Sequence, residues 1–145
     1  MERIVITHGP EETEEVGFGL AARLADGDVV ALVGELGAGK TTFVRGLARG
    51  LFVRDPVLSP SFLLARSYEG RLRFHHLDAY RITTPGELSE VGLGELLPPE
   101  EGVTAVEWAD RIVDLIPPGA IWVALEHAGE DRRRITLRRP ERADR

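Results

Sequence analysis

The 145-residue chain has no cysteine, no asparagine and no glutamine, one methionine and a single lysine. Without cysteine there is no disulfide framework and no thiolate metal site. Without asparagine or a second lysine, the Asn-Lys-x-Asp motif that reads guanine cannot be written. Shortage of thermolabile residue types fits a heat-adapted source, and arginine in place of lysine fits a GC-rich genome equally well. No apolar run approaches the roughly eighteen residues that would span a bilayer. Residues 1–6, Met-Glu-Arg-Ile-Val-Ile, lack the basic-then-apolar order of a signal peptide. The expectation is a soluble cytoplasmic protein.

Hydrophobic residues make up 43% and charged residues 29%, enough for one domain with a real core. Net charge is −6, which does not suggest a nucleic-acid clamp. Residues 130–145 nevertheless carry seven arginines against four acids, a local +3. Such an end either contacts phosphate backbones or is a solvated edge strand with a tail, its arginines guarding against aggregation.

The lone lysine sits in Gly34-Glu-Leu-Gly-Ala-Gly-Lys-Thr-Thr42, and residues 34–41 match G-x-x-x-x-G-K-[ST] at every specified position. The other seventeen basic side chains are arginines. Arginine is a planar fork, whereas lysine is a compact point charge on a flexible stem, which suits the gap between outer phosphate oxygens. The setting supports the motif. Residues 29–33, Val-Val-Ala-Leu-Val, read as a strand covered on both faces. From Lys40 a helix follows, with Phe43, Val44, Leu47, Ala48 and Leu51 inward. Strand, glycine-rich loop and helix together make a phosphate site. Nucleotide contacts are expected from Glu35, Leu36, Gly37, Ala38 and Gly39, then Lys40, Thr41 and Thr42. Backbone N–H groups at 37–39 would form an anion nest at a helix N-terminus. Lys40 would bridge the outer phosphates and Thr41 would ligate Mg²⁺, with Thr42 toward the α-phosphate.

The rest of the chain supplies the frame. Residues 3–7 read as a strand. A helix from Pro10 follows, acidic in its first turn, with Val16, Leu20, Ala21 and Leu24 on its buried stripe. Strands are predicted over 62–68, 72–77 and 103–106. A short helix opens at Thr84-Pro85 and runs through Val91, closed by Gly92. A helix spans 109–116, stopped by Pro117-Pro118, and a hairpin covers 121–126 and 132–137. The fold class is α/β: a single P-loop NTPase-like domain over 1–145, its mixed sheet parallel near the glycine-rich loop and antiparallel elsewhere.

A phosphate loop needs a second magnesium anchor, commonly an aspartate ending a neighbouring strand. Asp78, closing Phe74-His-His-Leu-Asp78, is that candidate, or else a cap for the turn after it. Glu107 ends residues 103–106 in the same way. It could polarise the attacking water, hold magnesium through water, or favour the following helix N-terminus. Ser59-Pro-Ser-Phe62 lies where many P-loop proteins keep a γ-phosphate-sensing switch, and is otherwise an ordinary loop; Ser59 and Ser61 carry the hydroxyls. His75 and His76 lack a third ligand for zinc, and one of them faces the core or the nucleotide site. ATP is the expected nucleotide.

With these residues laid out, the chain resembles the TsaE (YjeE) family of small bacterial P-loop ATPases. Four blocks carry the resemblance: Gly34 to Thr42, Ser59-Pro-Ser-Phe62, His76-Leu-Asp-Ala-Tyr-Arg81 and Val106-Glu-Trp108. Ser61 stands where threonine is common and keeps the hydroxyl. The resemblance implies Mg²⁺-dependent ATP hydrolysis in making threonylcarbamoyladenosine, at the adenosine 3′ of the anticodon in ANN-decoding tRNAs. It implies TsaB and TsaD as partners, with tRNA as pathway substrate. It assigns Lys40, Asp78 and Glu107 to catalysis, Thr41, Asp78 and Glu107 to the metal, and Trp108 to the nucleotide's surroundings. A small-molecule kinase and an interaction module with a vestigial P-loop are the readings from other classes.

Overall fold

Strand β2 (Val29–Gly34) sets the frame, because its side chains alternate between two cores. Val30 and Leu32 join one apolar cluster, Val29 and Ala31 the other. A strand covered on both faces takes parallel neighbours, and β2 has them on each side. The structure, a computed structural model, describes residues 2–58, 60, 64–84 and 86–140.

Around β2 the chain runs β1 (Glu2–Thr7), α1 (Pro10–Ala21), then α2 (Lys40–Gly50), β3 (Ala65–Tyr68), β4 (Phe74–Asp78) and α3 (Gly86–Glu90). A 3-10 turn at Leu93–Leu96 leads to β5 (Val103–Glu107), and a 3-10 segment at Ala109–Leu115 leads to β6 (Ile121–His127) and β7 (Arg133–Arg138). Among the described residues the sheet has the order β1-β7-β6-β2-β5-β4-β3. Strands β6, β2, β5 and β4 are parallel, and β1, β7 and β3 join antiparallel. This is the mixed α/β sheet expected, parallel beside the glycine-rich loop. Among the described residues no helix is long and apolar enough to cross a membrane.

Several expectations change in detail, among them the start of β4, at Phe74 rather than at 72. Among the described residues β3 starts at Ala65, just after Leu64 with its left-handed backbone (φ 64°), and positions 62 and 63 of the predicted strand lie outside the described residues. Residues Ser59, Ser61 and Phe62 of the switch-like segment lie outside the described residues, as does Pro85 of the predicted short helix. The segment expected as a helix over 109–116 is 3-10, with non-helical backbone at Ile112 (φ −135°, ψ 37°). Seven residues form too short a helix to be stable alone, and fully buried Ile112 is placed by the core instead. The arginine-rich β7 is not an edge strand. It lies between β1 and β6, and β1 forms that edge.

Helices α1 and α2 cover one face of the sheet and pack against each other almost backbone to backbone. The deepest stripe of α1 is Thr13, Gly17 and Ala21, small residues at every fourth position. Val16 and Leu20, predicted for that stripe, are only partly buried at its side. A Cβ on Gly17 would lie 2.3 Å from the Phe43 carbonyl oxygen, and one on Gly46 would lie 1.8 Å from that of Glu14. No side chain fits there, so the contact fixes how far α2 sits from α1.

In an exposed helix, Gly→Ala stabilises by about 0.5–1 kcal/mol. At Gly46 the sign reverses. Gly46→Ala is expected to lose about 2–3 kcal/mol and to lower Tm by about 6–12 °C in thermal unfolding. An unchanged or raised Tm would contradict this packing.

Candidate functional site

Strand β2 ends at Gly34, and the loop that follows curls over the C-terminal ends of the parallel strands before α2 starts at Lys40. In open α/β sheets this is where ligands bind. Gly39, just ahead of α2, has φ 102°, a backbone that glycine adopts without strain. Within the loop Ala38 N–H donates to the Glu35 carbonyl (3.0 Å), and Phe43 N–H closes the first helical turn on the Gly39 carbonyl (2.9 Å). The side chain of Lys40 folds back under the loop. Its Nζ donates to the Gly34 carbonyl at 2.5 Å and the Glu35 carbonyl at 2.9 Å, and stands 3.9 Å from the centre of the Trp108 ring. Burial holds the ammonium below the ordinary lysine range, against the opposing pull of Glu107, Asp110 and Asp78.

The carboxylates come from the sheet. Asp78 and Glu107 end the adjacent parallel strands β4 and β5 and face each other in register, while Leu32 of β2 is the other neighbour of Glu107. Glu107 is 4% exposed and Asp78 8%. The Thr41 hydroxyl reaches both Glu107 oxygens, at 3.0 and 3.1 Å, so the first turn of α2 is tied directly to the end of β5. Asp78 accepts the Tyr80 N–H at 2.9 Å. Burial pushes the Asp78 carboxyl up and the negative charge of Glu107 adds to that; the Tyr80 N–H, His76 and Lys40 pull it down.

Trp108 has a left-handed backbone (φ 60°, ψ 39°), a strained state for a bulky residue and worth about 1–3 kcal/mol. The turn throws its indole over Lys40. Tyr80 packs on the indole with ring centres 4.8 Å apart, and Arg111 lies over both rings at 5.0 and 5.9 Å. Lys40, Thr41, Asp78, Tyr80, Glu107 and Trp108 line a cleft of about 370 Å³ with Leu36, Gly37, Gly39 and Thr42. A second cleft of about 250 Å³ lies across the loop, lined by Pro10, Thr13, Thr42, Asp131 and Arg133 among others. There Arg133 donates to the Gly37 carbonyl at 3.3 Å, tying the β6–β7 turn to the loop.

The cleft thus brings together Lys40, Thr41, Thr42, Asp78, Glu107 and Trp108. Glu35 and Ala38 contribute backbone to the loop; neither side chain lines the cleft. Tyr80 and Arg111 carry no sequence signal of their own. His76 had one: it lies two residues before Asp78, hence on the same face of β4. His75 turns to the other face, where Nδ1 meets Ser67 Oγ at 2.8 Å. Among the described residues no cluster of three or more histidines and carboxylates is arranged to hold a metal by itself. A threonine hydroxyl with two carboxylates is an all-oxygen set, which fits a hard cation that also keeps waters or phosphate oxygens.

The profile of the family described as "Threonylcarbamoyl adenosine biosynthesis protein TsaE" matches residues 7–135. A Bacillus subtilis (strain 168) protein named "tRNA threonylcarbamoyladenosine biosynthesis protein TsaE" is 40% identical over 132 residues, 90% of this chain and 82% of the relative. Proteins of the same name from Treponema pallidum and Aquifex aeolicus are 33% and 35% identical. They cover 91% and 93% of this chain, and 97% and 95% of their own lengths. The crystal structure of Bacillus subtilis YdiB superposes with a TM-score of 0.77 at 36% identity, over 94% of this chain and 84% of that one.

Two buried carboxylates side by side make the ligand-free site electrostatically costly. A carboxyl whose folded-state pKa lies above its unfolded value binds its proton more tightly when folded. Its cost to stability is therefore full above the raised folded value and absent below the ordinary 3.8. Asp78→Asn, which keeps the acceptor for Tyr80 N–H, is expected to raise Tm by about 1–3 °C at neutral pH without divalent cations. The gain should vanish as pH falls through the Asp78 titration. A lower Tm for the variant at neutral pH would contradict the electrostatic account.

Proposed function

The chain belongs to the TsaE family of threonylcarbamoyl adenosine biosynthesis proteins, and from that premise we propose that it binds and hydrolyses ATP with Mg²⁺ in the cytoplasm. It does so as an accessory protein in threonylcarbamoyl modification of the adenosine 3′ of the anticodon in ANN-decoding tRNAs, acting on a TsaB–TsaD complex. One observation carries the nucleotide reading. The loop's lysine and threonine, at the start of α2, meet two register-paired carboxylates, Asp78 and Glu107, in a single cleft. A lone glycine-rich turn would not need acids opposite it.

The roles follow from the chemistry of each group. Lys40 exchanges two carbonyl acceptors for phosphate oxygens, an acceptor that carries charge and so makes a stronger bond. The N–H groups at the start of α2 point the same way, where the helix dipole favours an anion. Thr41 Oγ1, Asp78 and Glu107 would hold the magnesium ion, which when bound neutralises charge on the outer phosphates. Glu107 is also the carboxylate best placed to orient a water for attack on the γ-phosphorus. As the water oxygen bonds to phosphorus, the bond to the β–γ bridging oxygen breaks and ADP leaves, the water's protons staying with the released inorganic phosphate. No glutamine exists in the chain to orient that water instead. Trp108 and Tyr80 wall the cleft and exclude solvent from one side. The absence of the guanine-reading motif favours ATP over GTP.

Lys40→Ala is expected to lower ATP affinity and phosphate release by about 100-fold or more, because the phosphates lose their only lysine. Phosphate release by the wild-type chain should rise when TsaB and TsaD are added, and reconstituted tRNA modification should require this chain. Near-normal hydrolysis by Lys40→Ala would overturn the site. Phosphate transfer to a small acceptor in place of water would point to a kinase.

A further inference from the structure

Beyond the residues that would face the nucleotide, we infer that His76 is a positioning residue that holds the Glu107 carboxylate in its working orientation. The inference rests on the nucleotide reading above and deepens it. His76 is fully buried on β4, under the cleft, with Phe74 stacked 6.2 Å away at an interplanar angle of 21°. Its Nε2 lies 2.6 Å from Glu107 Oε2. A carboxylate only accepts, so the network assigns the proton to Nε2, which donates to Glu107. The second ring nitrogen, Nδ1, is buried and has no hydrogen-bond partner among the described residues. An apolar side chain would fill that space without stranding a polar atom. The imidazole is there for what Nε2 does.

Glu107 is consequently held from two sides, by His76 from the core and by the Thr41 hydroxyl from α2. The two contacts restrain the carboxylate where it lines the cleft. They also restrain Glu107 from turning onto Lys40, whose ammonium is close enough to feel its charge but is bonded to the loop carbonyls instead. With the Nε2–H donor removed, only the Thr41 hydroxyl restrains Glu107, which can then turn toward Lys40 and partly neutralise it. Buried His to carboxylate to first-turn hydroxyl is thus a linkage that keeps cation and anion apart in one small site.

The test compares His76→Leu, which fills the space without a donor, with His76→Gln, whose amide nitrogen reaches the place of Nε2. Calorimetric titration with ATP in EDTA and in Mg²⁺, the Mg²⁺ concentration for half-maximal effect, kcat and Tm are measured on each. His76→Leu should bind ATP in EDTA more weakly than wild type, because Glu107 then competes with phosphate for Lys40, and should need about 10–100-fold more Mg²⁺ and lose kcat by a similar factor. His76→Gln should recover most of both. In a Glu107→Gln background, His76→Leu should change neither quantity further. If His76→Leu does not fold, His76→Asn takes its place, since its shorter amide cannot reach Glu107. Wild-type Mg²⁺ dependence in the donor-less variant, equal losses in both variants, or additive losses with Glu107→Gln would overturn the inference. No Mg²⁺-ATP binding by the wild-type chain would overturn the nucleotide reading beneath it.

Discussion

The position of the first turn of α2 governs the cleft, and that position is set by helix backbones in contact. Gly17 of α1 and Gly46 of α2 leave no room for even a methyl group, so the two helices close to the limit of their backbones. That closeness lets α2 lie low over the sheet, with Phe43, Val44 and Leu47 buried against β2 and β5. Only from there does Thr41 reach Glu107 at the end of β5, and Lys40 reach back beneath the loop. A larger residue at either glycine would lift α2. The hydrogen bonds that organise the site tolerate little displacement, because their strength falls steeply outside about 2.7–3.2 Å.

The site is assembled against its own electrostatics. A lysine and two carboxylates are withdrawn from water, and burial works against the charged forms of Lys40 and Asp78. Part of the opposition is met inside the protein, by carbonyls on Lys40, a backbone N–H on Asp78, and His76 with Thr41 on Glu107. Among the described residues no hydrogen bond bridges the two acids. A divalent cation between them and an anion in front of Lys40 would relieve both sides together. Strain at Trp108 belongs to the same arrangement, since its left-handed turn swings the indole over the lysine.

Much of this was legible in the sequence. The apolar run 29–33, the glycine-rich loop and the helix from Lys40 were readable because each follows from a local period or a local backbone need. Asp78 and Glu107 were readable as strand-ending acids. Their register pairing was not, since it depends on β5 inserting between β2 and β4. The glycines of α1 and α2 carry no apolar signal in the sequence, although the close contact they permit lies on the deepest stripe of α1. The 3-10 segment after Trp108 kept the spacing of a helix while Ile112 answered to the core. His76 differed from His75 only by strand parity, and its partner is 31 residues away in sequence. Long-range pairing is what a single sequence conceals.

The central claim is that this cleft takes the outer phosphates of ATP together with Mg²⁺. A crystal structure of the chain with a non-hydrolysable ATP analogue and Mg²⁺ tests it most directly. The outer phosphates should lie over the N-terminus of α2, with Lys40 Nζ moved from the Gly34 and Glu35 carbonyls onto phosphate oxygen and the metal beside Thr41, Asp78 and Glu107. Nucleotide bound elsewhere, or Lys40 still on its two carbonyls with the cleft empty at saturating analogue, would contradict it.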